Sequence, residues 1–403
     1  MEKQKNIPQL RFPEFKGVGE KKTVGDLGKF TGGGTPDTTI TKYWNGNVPW
    51  ISSSDIQDDT VQEYLTSRFI TDEAIKKSAT KLIPQNSILI VSRVGIGKFA
   101  VSKSPVCTSQ DFTNLTPLVD NPYFLAYYFK EKTKLFLRFS QGTSIKGFTG
   151  SDIRNIVFLI PTLPEQQKIA SFFTAIDQKI FQLKRKKTLL EEYKKGVMQK
   201  IFSQEIRFKD DNGQEFPKWE KKRLGSILNE RNIQVPKSDE YPLMAFVANK
   251  GVAHKGERYN REFLVNDGDN KKYKQTEYGD FIYSSNNLET GSIGLNSFGS
   301  ASISPVYSIF QIDESCNPQF LGCYFVRKSF INKMTSYRQG VVYGQWRIHE
   351  SDFLKIEEWI PSTTEQTKIA NFLSAIDDKI NHTQKQVEKA EVWKKGLMQQ
   401  MFC

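Results

Sequence analysis

The sequence predicts an α+β chain built twice over: two globular α/β regions joined by two long antiparallel coiled-coil helices, a pseudo-two-fold dumbbell. Three observations carry this prediction. The stretch EQQKIASFFTAIDQKI at 165–180 returns as EQTKIANFLSAIDDKI at 365–380. Both copies open a run of apolar residues spaced alternately four and three apart. The regions ahead of each copy share a further set of short anchor segments.

Aligning residues 161–202 with 361–402 gives 19 identities in 42 positions without a gap. Each copy opens with a capping box, Thr162-x-x-Glu165 and Ser362-x-x-Glu365, just after Pro161 and Pro361. In such a box the hydroxyl accepts from a free backbone N–H and the glutamate reaches back to the cap. The seam then runs Ile169, Phe173, Ile176, Ile180, Leu183, Lys187, Leu190, Lys194, Val197, Ile201. Its second copy is Ile369, Leu373, Ile376, Ile380, Thr383, Val387, Ala390, Lys394, Leu397, Met401. Eight of ten positions are apolar in each, the mark of a coiled coil. About 40 residues at 1.5 Å rise make a helix of roughly 60 Å. Gly196 and Gly396 cost a helix about 1 kcal/mol each. They therefore mark either a close approach by another chain or the end of the regular helix.

The globular regions share a weaker frame. RFPEF at 11–15 followed by KKTVGDL at 21–27 returns as EFPKWEKKRLGSI at 215–227. FLAYYF at 124–129 matches FLGCYF at 320–325, and SDIRNIVFLIP at 151–161 matches SDFLKIEEWIP at 351–361. The runs 86–101 and 279–296 both read as hairpins, β-rich segments around glycines, and little else matches. The resulting boundaries are an N-terminal segment 1–20, a domain 21–160, a helix 161–204, a linker 205–220, a domain 221–360 and a helix 361–403.

Composition narrows the class. Fifty-seven Lys and Arg against 45 Asp and Glu leave a net charge of +12, which favours a polyanionic partner such as nucleic acid. No apolar run approaches the 18–20 residues of a membrane span, and the opening MEKQKNIPQLRFPEF has no apolar core for a signal peptide. Cys107, Cys316, Cys323 and Cys403 form no disulfide-like framework, so a cytoplasmic chain without membrane contact is expected.

Catalytic motifs are near misses. FTGGG at 30–34 fits a loose adenosylmethionine loop but runs into the turn signal TPDTT instead of a helix. DNPYF at 120–124 lacks the second proline of an adenine-flipping motif. Gly97-Lys98 lacks a phosphate loop before it, and Pro36-Asp37 lacks the downstream acid-x-Lys of a nuclease. His254, His349 and His382 are scattered and unpaired with cysteines, which argues against a zinc site. No catalysis and no metal are expected in this chain.

Several polar residues persist in both helices while seam residues drift. Glu165, Gln166, Lys168, Lys179 and Lys194 repeat as Glu365, Gln366, Lys368, Lys379 and Lys394. They are candidates for docking one partner species twice; the plainer alternative is a solvated face inherited by duplication.

With these segments, VPWISSSDI at 48–56 and GGGTP at 32–36, the chain resembles the specificity subunits of type I restriction–modification systems over essentially its whole length. That resemblance implies two target-recognition domains, each reading one half of a bipartite site on double-stranded DNA. It implies two adenine methyltransferase subunits docked on the helices, with restriction subunits joining them. S-adenosylmethionine, ATP and Mg would belong to those partners and no cofactor to this chain. A scaffold with sequence-blind DNA affinity and a stand-alone DNA methyltransferase are the alternatives, the latter weakened by the missing motifs.

Base edges are read by donors and acceptors, while basic groups hold phosphates. The glycine-bounded loops offer Ser92, Arg93, Lys98, Thr143, Ser144 and Lys146 in the first half. The second half offers Asn286, Asn287, Tyr337, Arg338, Tyr343, Gln345 and Arg347. Trp346 reads as a core or loop-anchoring aromatic, and KRKK at 184–187 as a charged helix face.

Overall fold

The computed structural model describes residues 7–140, 147–236, 238–254, 272–341 and 345–402. The two predicted helices run Leu163–Phe202 and Thr363–Met401. The chain divides into two compact units that cut across the sequence order. Unit 1 is residues 1–188 with 382–403, and unit 2 is 189–381.

Unit 1 holds a four-stranded antiparallel sheet in the order 28–32, 113–117, 88–90, 99–101. The strands 88–90 and 99–101 are the expected hairpin. Helix Pro122–Glu131 packs on it, started by Asn121, whose Oδ1 accepts from the Tyr123 and Phe124 amides at 3.0 Å. Pro122 occupies the first turn, where a missing N–H costs nothing. Strands Glu20–Thr23 and Val157–Ile160 form a ladder. A second sheet, in the order 68–70, 48–51, 106–108, 82–83, contains a parallel pair.

Unit 2 repeats the inner frame and replaces the outer one. Its four-stranded sheet runs 228–230, 308–312, 281–283, 293–295, again with the expected hairpin. Helix Pro318–Phe325 is capped by Asn317, and Glu220–Arg223 pairs with Glu357–Ile360. Both ladders keep one register, Glu20 opposite Ile160 and Glu220 opposite Ile360. The remaining strands differ: unit 2 has 234–235, 273–276 and 301–303 in one sheet and the hairpin 245–253.

The helix seam is the core it was expected to be, with all twenty positions buried or half-buried. Within unit 1 the two helix segments run antiparallel: Phe173 stacks on Phe402 at 5.6 Å, and Lys184 pairs with Glu391 at 2.7 Å. Phe402 also meets Phe124 and Tyr128, as Phe202 meets Phe320 and Tyr324 in unit 2. Such aromatic clusters bury 150–250 Å² per ring and dominate the stability of cores this small.

The regular helix ends at neither of the helix glycines, and within this chain nothing approaches them. Both helices continue beyond Gly196 and Gly396, and a Cβ at either position would meet no atom within 4 Å. The capping boxes are also changed. The Ser362 hydroxyl accepts from the Glu365 amide at 3.4 Å, but the glutamate side chains turn elsewhere.

Candidate nucleic-acid and subunit interfaces

The helix starts explain most of the conserved polar residues. Arg11 donates to both oxygens of Glu165 at 2.6 and 2.7 Å, and Arg207 does the same to Glu365 at 3.2 and 2.7 Å. Phe12 then packs edge-on to Phe172, and Phe208 to Phe372. The true repeat of Arg11-Phe12 is therefore Arg207-Phe208, not the EFPKW stretch alone. The inserted KDDNGQ at 209–214 hides it from an ungapped comparison.

Gln166 accepts from the Asn121 amide and donates to the Pro161 carbonyl; Gln366 accepts from the Asn317 amide and donates to the Pro361 carbonyl. Glu165, Gln166, Glu365 and Gln366 are each 2% exposed or less, so their identity between copies serves internal bracing and gives a partner nothing to touch. Lys394 is likewise buried, paired with Asp177. Lys194 pairs with Asp377 at 2.6 Å. Among the docking candidates the lysines 168, 179, 368 and 379 remain at the surface. Lys168 lies over Phe12 and pairs with Glu14, and Lys368 pairs with Asp211.

Among the DNA candidates, Thr143, Ser144, Lys146 and Tyr343 lie outside the described residues. Ser92 is a correction: it is 2% exposed, donates to the Asp111 carbonyl and accepts from Thr113. It joins strands, and its hydroxyl is engaged in that bracing. Lys98 holds the Ile56 carbonyl at 3.2 Å and pairs with Asp58. Arg93 is exposed beside Gly147, where a Cβ would come within 2.9 Å of its Cγ. A cavity of about 330 Å³ opens next to Arg93, lined by Phe30, Gln110 and Thr149. Gln110 and Thr149 are exposed polar groups the sequence reading passed over; the only signal was their place in polar stretches flanking strands.

In unit 2 the structure brings the candidates together. The Trp346 amide donates to Asn286 Oδ1 at 2.6 Å and the Ile348 amide to Ser285 Oγ at 3.0 Å, pinning strand Gln345–Arg347 to the turn after Tyr283. Asn287, Tyr337, Gln345 and Arg347 are exposed there, and Arg347 leans on Glu350 at 3.6 Å. Arg338 is a second correction: its guanidinium is mostly buried and forks onto both oxygens of Glu289 at 2.5 and 2.8 Å. That bidentate match occupies the geometry a guanine edge would need. Of the two readings of Trp346, the loop anchor fits and the core residue does not: its backbone holds the strand to Asn286, and the residue is 50% exposed.

The arrangement is a pair of loop-bearing faces on a duplicated scaffold, with amides, guanidinia and aromatic rings directed to solvent. Such a face fits base edges and phosphates. The family model of the type I restriction modification DNA specificity domain matches this chain twice, over residues 19–192 and 217–391. The chain belongs to that family.

A specificity subunit of the MjaIX type I restriction enzyme of Methanocaldococcus jannaschii is 32% identical over 278 residues, 64% of this chain and 63% of that protein. The EcoR124I/EcoR124II specificity subunit of Escherichia coli is 33% identical over 187 residues, covering 43% and 45%. The chain thus spans less than two thirds of the length of these relatives. The crystal structure of a type I restriction-modification S subunit from M. genitalium superposes with a TM-score of 0.60 at 16% identity, covering 98% of this chain and 99% of that one. A chain from a structural study of assembly and conformational transition of the type I R-M system gives 0.53 at 16% identity, covering 96% and 97%. At that identity the likeness speaks for the fold. No helix among the described residues is long and apolar enough to cross a membrane.

Proposed function

We propose that this chain is the DNA-specificity subunit of a type I restriction–modification complex, each unit's loop-bearing face reading one half of a bipartite site on double-stranded DNA. The observation that supports it best is a frame kept twice beneath outer sheets that differ. One scaffold with two different surfaces suits two readers of different targets. The net charge of +12 supplies the sequence-blind attraction to phosphates on which such reading rests.

The chain then contributes recognition, and methyl transfer, ATP hydrolysis and cleavage belong to partner subunits that carry S-adenosylmethionine, ATP and Mg. The surface lysines kept in both helices, Lys168 with Lys368 and Lys179 with Lys379, are the remaining docking points for two copies of a methyltransferase subunit. The long helices act as the spacer. Inserting seven residues in each lengthens a helix by about 10 Å, roughly three base pairs, and should widen the gap while leaving the half-sites unchanged.

The test is adenine-methylation sequencing in cells carrying the cognate methyltransferase subunit, with and without this chain. A split motif methylated in both halves only when the chain is present supports the reading. No new motif, with both proteins expressed and co-purifying, supports a sequence-blind scaffold instead.

A further inference from the structure

In unit 2, strands Gln339–Val341 and Gln345–Arg347 form an antiparallel two-stranded ribbon that joins no other sheet among the described residues. The register sets Gln339 opposite Arg347, Gly340 opposite Trp346 and Val341 opposite Gln345. Residues directly opposite share a face of a ribbon, and successive residues alternate between its faces. One face therefore carries Gln339, Arg347 and Gln345, and the other carries Trp346 against Gly340. All five are exposed, so both faces meet solvent. A ribbon of two strands is marginal in water by itself. This one is held along one edge, where Asn286 Oδ1 accepts from the Trp346 amide and Ser285 Oγ from the Ile348 amide.

The polar face holds the side chains that suit purine edges. A guanidinium matches guanine O6 and N7, and a carboxamide matches adenine N6 and N7. Two of these groups are tethered from behind by the helix that follows. Arg347 reaches Glu350 at 3.6 Å, and Gln339 donates to Asp352 at 3.5 Å. Glu350 is itself fixed, accepting from the Ser308 hydroxyl at 2.8 Å. The Arg347 side chain stays 57% exposed against 16% for that of Glu350, so the guanidinium is steadied without being enclosed. Both tethers are long and exposed, and such contacts exchange at little cost. Arg338, forked onto Glu289 just ahead of the ribbon, has no such freedom.

We propose that this ribbon enters the major groove of the half-site read by unit 2, where Arg347 reads a guanine and Gln339 and Gln345 each read an adenine. The inference rests on the reading of the chain as a specificity subunit. The major groove, about 12 Å wide, admits a two-stranded ribbon, and the minor groove, about 6 Å wide, does not. Residues two apart on a strand are separated by about 6.8 Å, the rise of about two base pairs. The bases read by Gln345 and Arg347 therefore lie within about two steps of each other. Gln339, about 5.5 Å across the ribbon from Arg347, falls in the same span. The register alone adds Gln339 to the reading set.

The test is adenine-methylation sequencing in cells carrying the cognate methyltransferase subunit together with the full chain or a variant of it. Arg347→Ala is expected to relax the choice of one guanine, and Gln339→Ala and Gln345→Ala that of one adenine each, by about tenfold or more. All three positions should fall in one half-site, those of Gln345 and Arg347 within about two steps, with the other half unchanged. Should an alanine variant fail to fold, Gln345→Glu keeps the shape of an exposed side chain. It is expected to weaken the adenine preference about tenfold, because adenine N7 then finds no donor. A parent chain that yields no split motif refutes the specificity-subunit reading itself. With a parent motif in place, three results overturn the ribbon alone. One is the parent motif kept by every variant. Another is a set of relaxed positions spread over both halves. The third is methylation lowered equally at all sites with the base preferences intact, which would make the ribbon a holder of phosphates.

Discussion

The same ion pair occurs once in each unit and does different work in each. In unit 1, Lys394 and Asp177 are both nearly inaccessible, and Tyr127 and Thr60 also donate to the carboxylate. In unit 2, Lys194 and Asp377 form the pair with good geometry but half in water. Duplication kept the charges, and the surroundings changed their energetics. A buried pair is held by its hydrogen-bond network, and losing one member strands the other charge. An exposed pair exchanges one set of good contacts for hydration. Identity between repeats therefore does not imply equal contribution.

The largest expected effect breaks this comparison directly. Asp177→Ala is expected to destabilise unit 1 by about 3–5 kcal/mol, because Lys394 remains buried without its partner. Asp377→Ala is expected to cost at most about 1 kcal/mol in unit 2. Hydrogen exchange of helices 122–131 and 318–325 reads each unit locally, and equal losses would refute the distinction.

Lys130 offers the next test. Burial, then the neighbouring Lys394, pushes its ammonium down to about 8. Its counterpart in unit 2 is Val326, so Lys130→Met makes unit 1 resemble unit 2 at this point. Between about pH 8 and the ordinary 10.5 the unfolded chain binds the proton that the folded chain has released. Stability from this residue therefore rises with pH across that window, and below it the charging penalty is complete. Lys130→Met should raise the melting temperature near pH 7, with the gain shrinking towards pH 10.5. A gain independent of pH would mean packing alone.

The glutamate braces should behave alike, because both forks are buried. Glu165→Ala and Glu365→Ala are each expected to cost about 2–3 kcal/mol in denaturant titrations. A large inequality would show that the KDDNGQ insertion weakens the second brace. The helix glycines should also match. Gly196→Ala and Gly396→Ala are each expected to add about 0.5–1 kcal/mol, since nothing in the chain approaches either position. Trp346→Ala is the smallest, within about 0.5 kcal/mol in stability because the ring is half exposed. Its effect should appear in the methylated motif or in DNA affinity, measured by fluorescence anisotropy on a cognate duplex.

Legibility from sequence followed the range of the interaction. The seam was readable because helical periodicity repeats every few residues, and the hairpins because their strands lie about a dozen residues apart. Arg11 reaches Glu165 across 154 residues, and no local pattern announces that contact. The occupied Arg338 and the buried Ser92 were misplaced for a related reason. Loop composition says which chemistry is present but not which side chains already satisfy one another.

By itself, the sequence determined the duplication, the two long helices and their apolar seam, the inner hairpins and the positive charge. Each rests on local propensity, spacing or composition, which every residue carries with it. Tertiary structure alone decided which repeated polar residues are braces and which remain at the surface, and why one ion pair is dry and its copy wet. Burial is a property of what covers a residue. Residues 58–62, the cover in unit 1, lie more than a hundred positions from the aspartate they enclose.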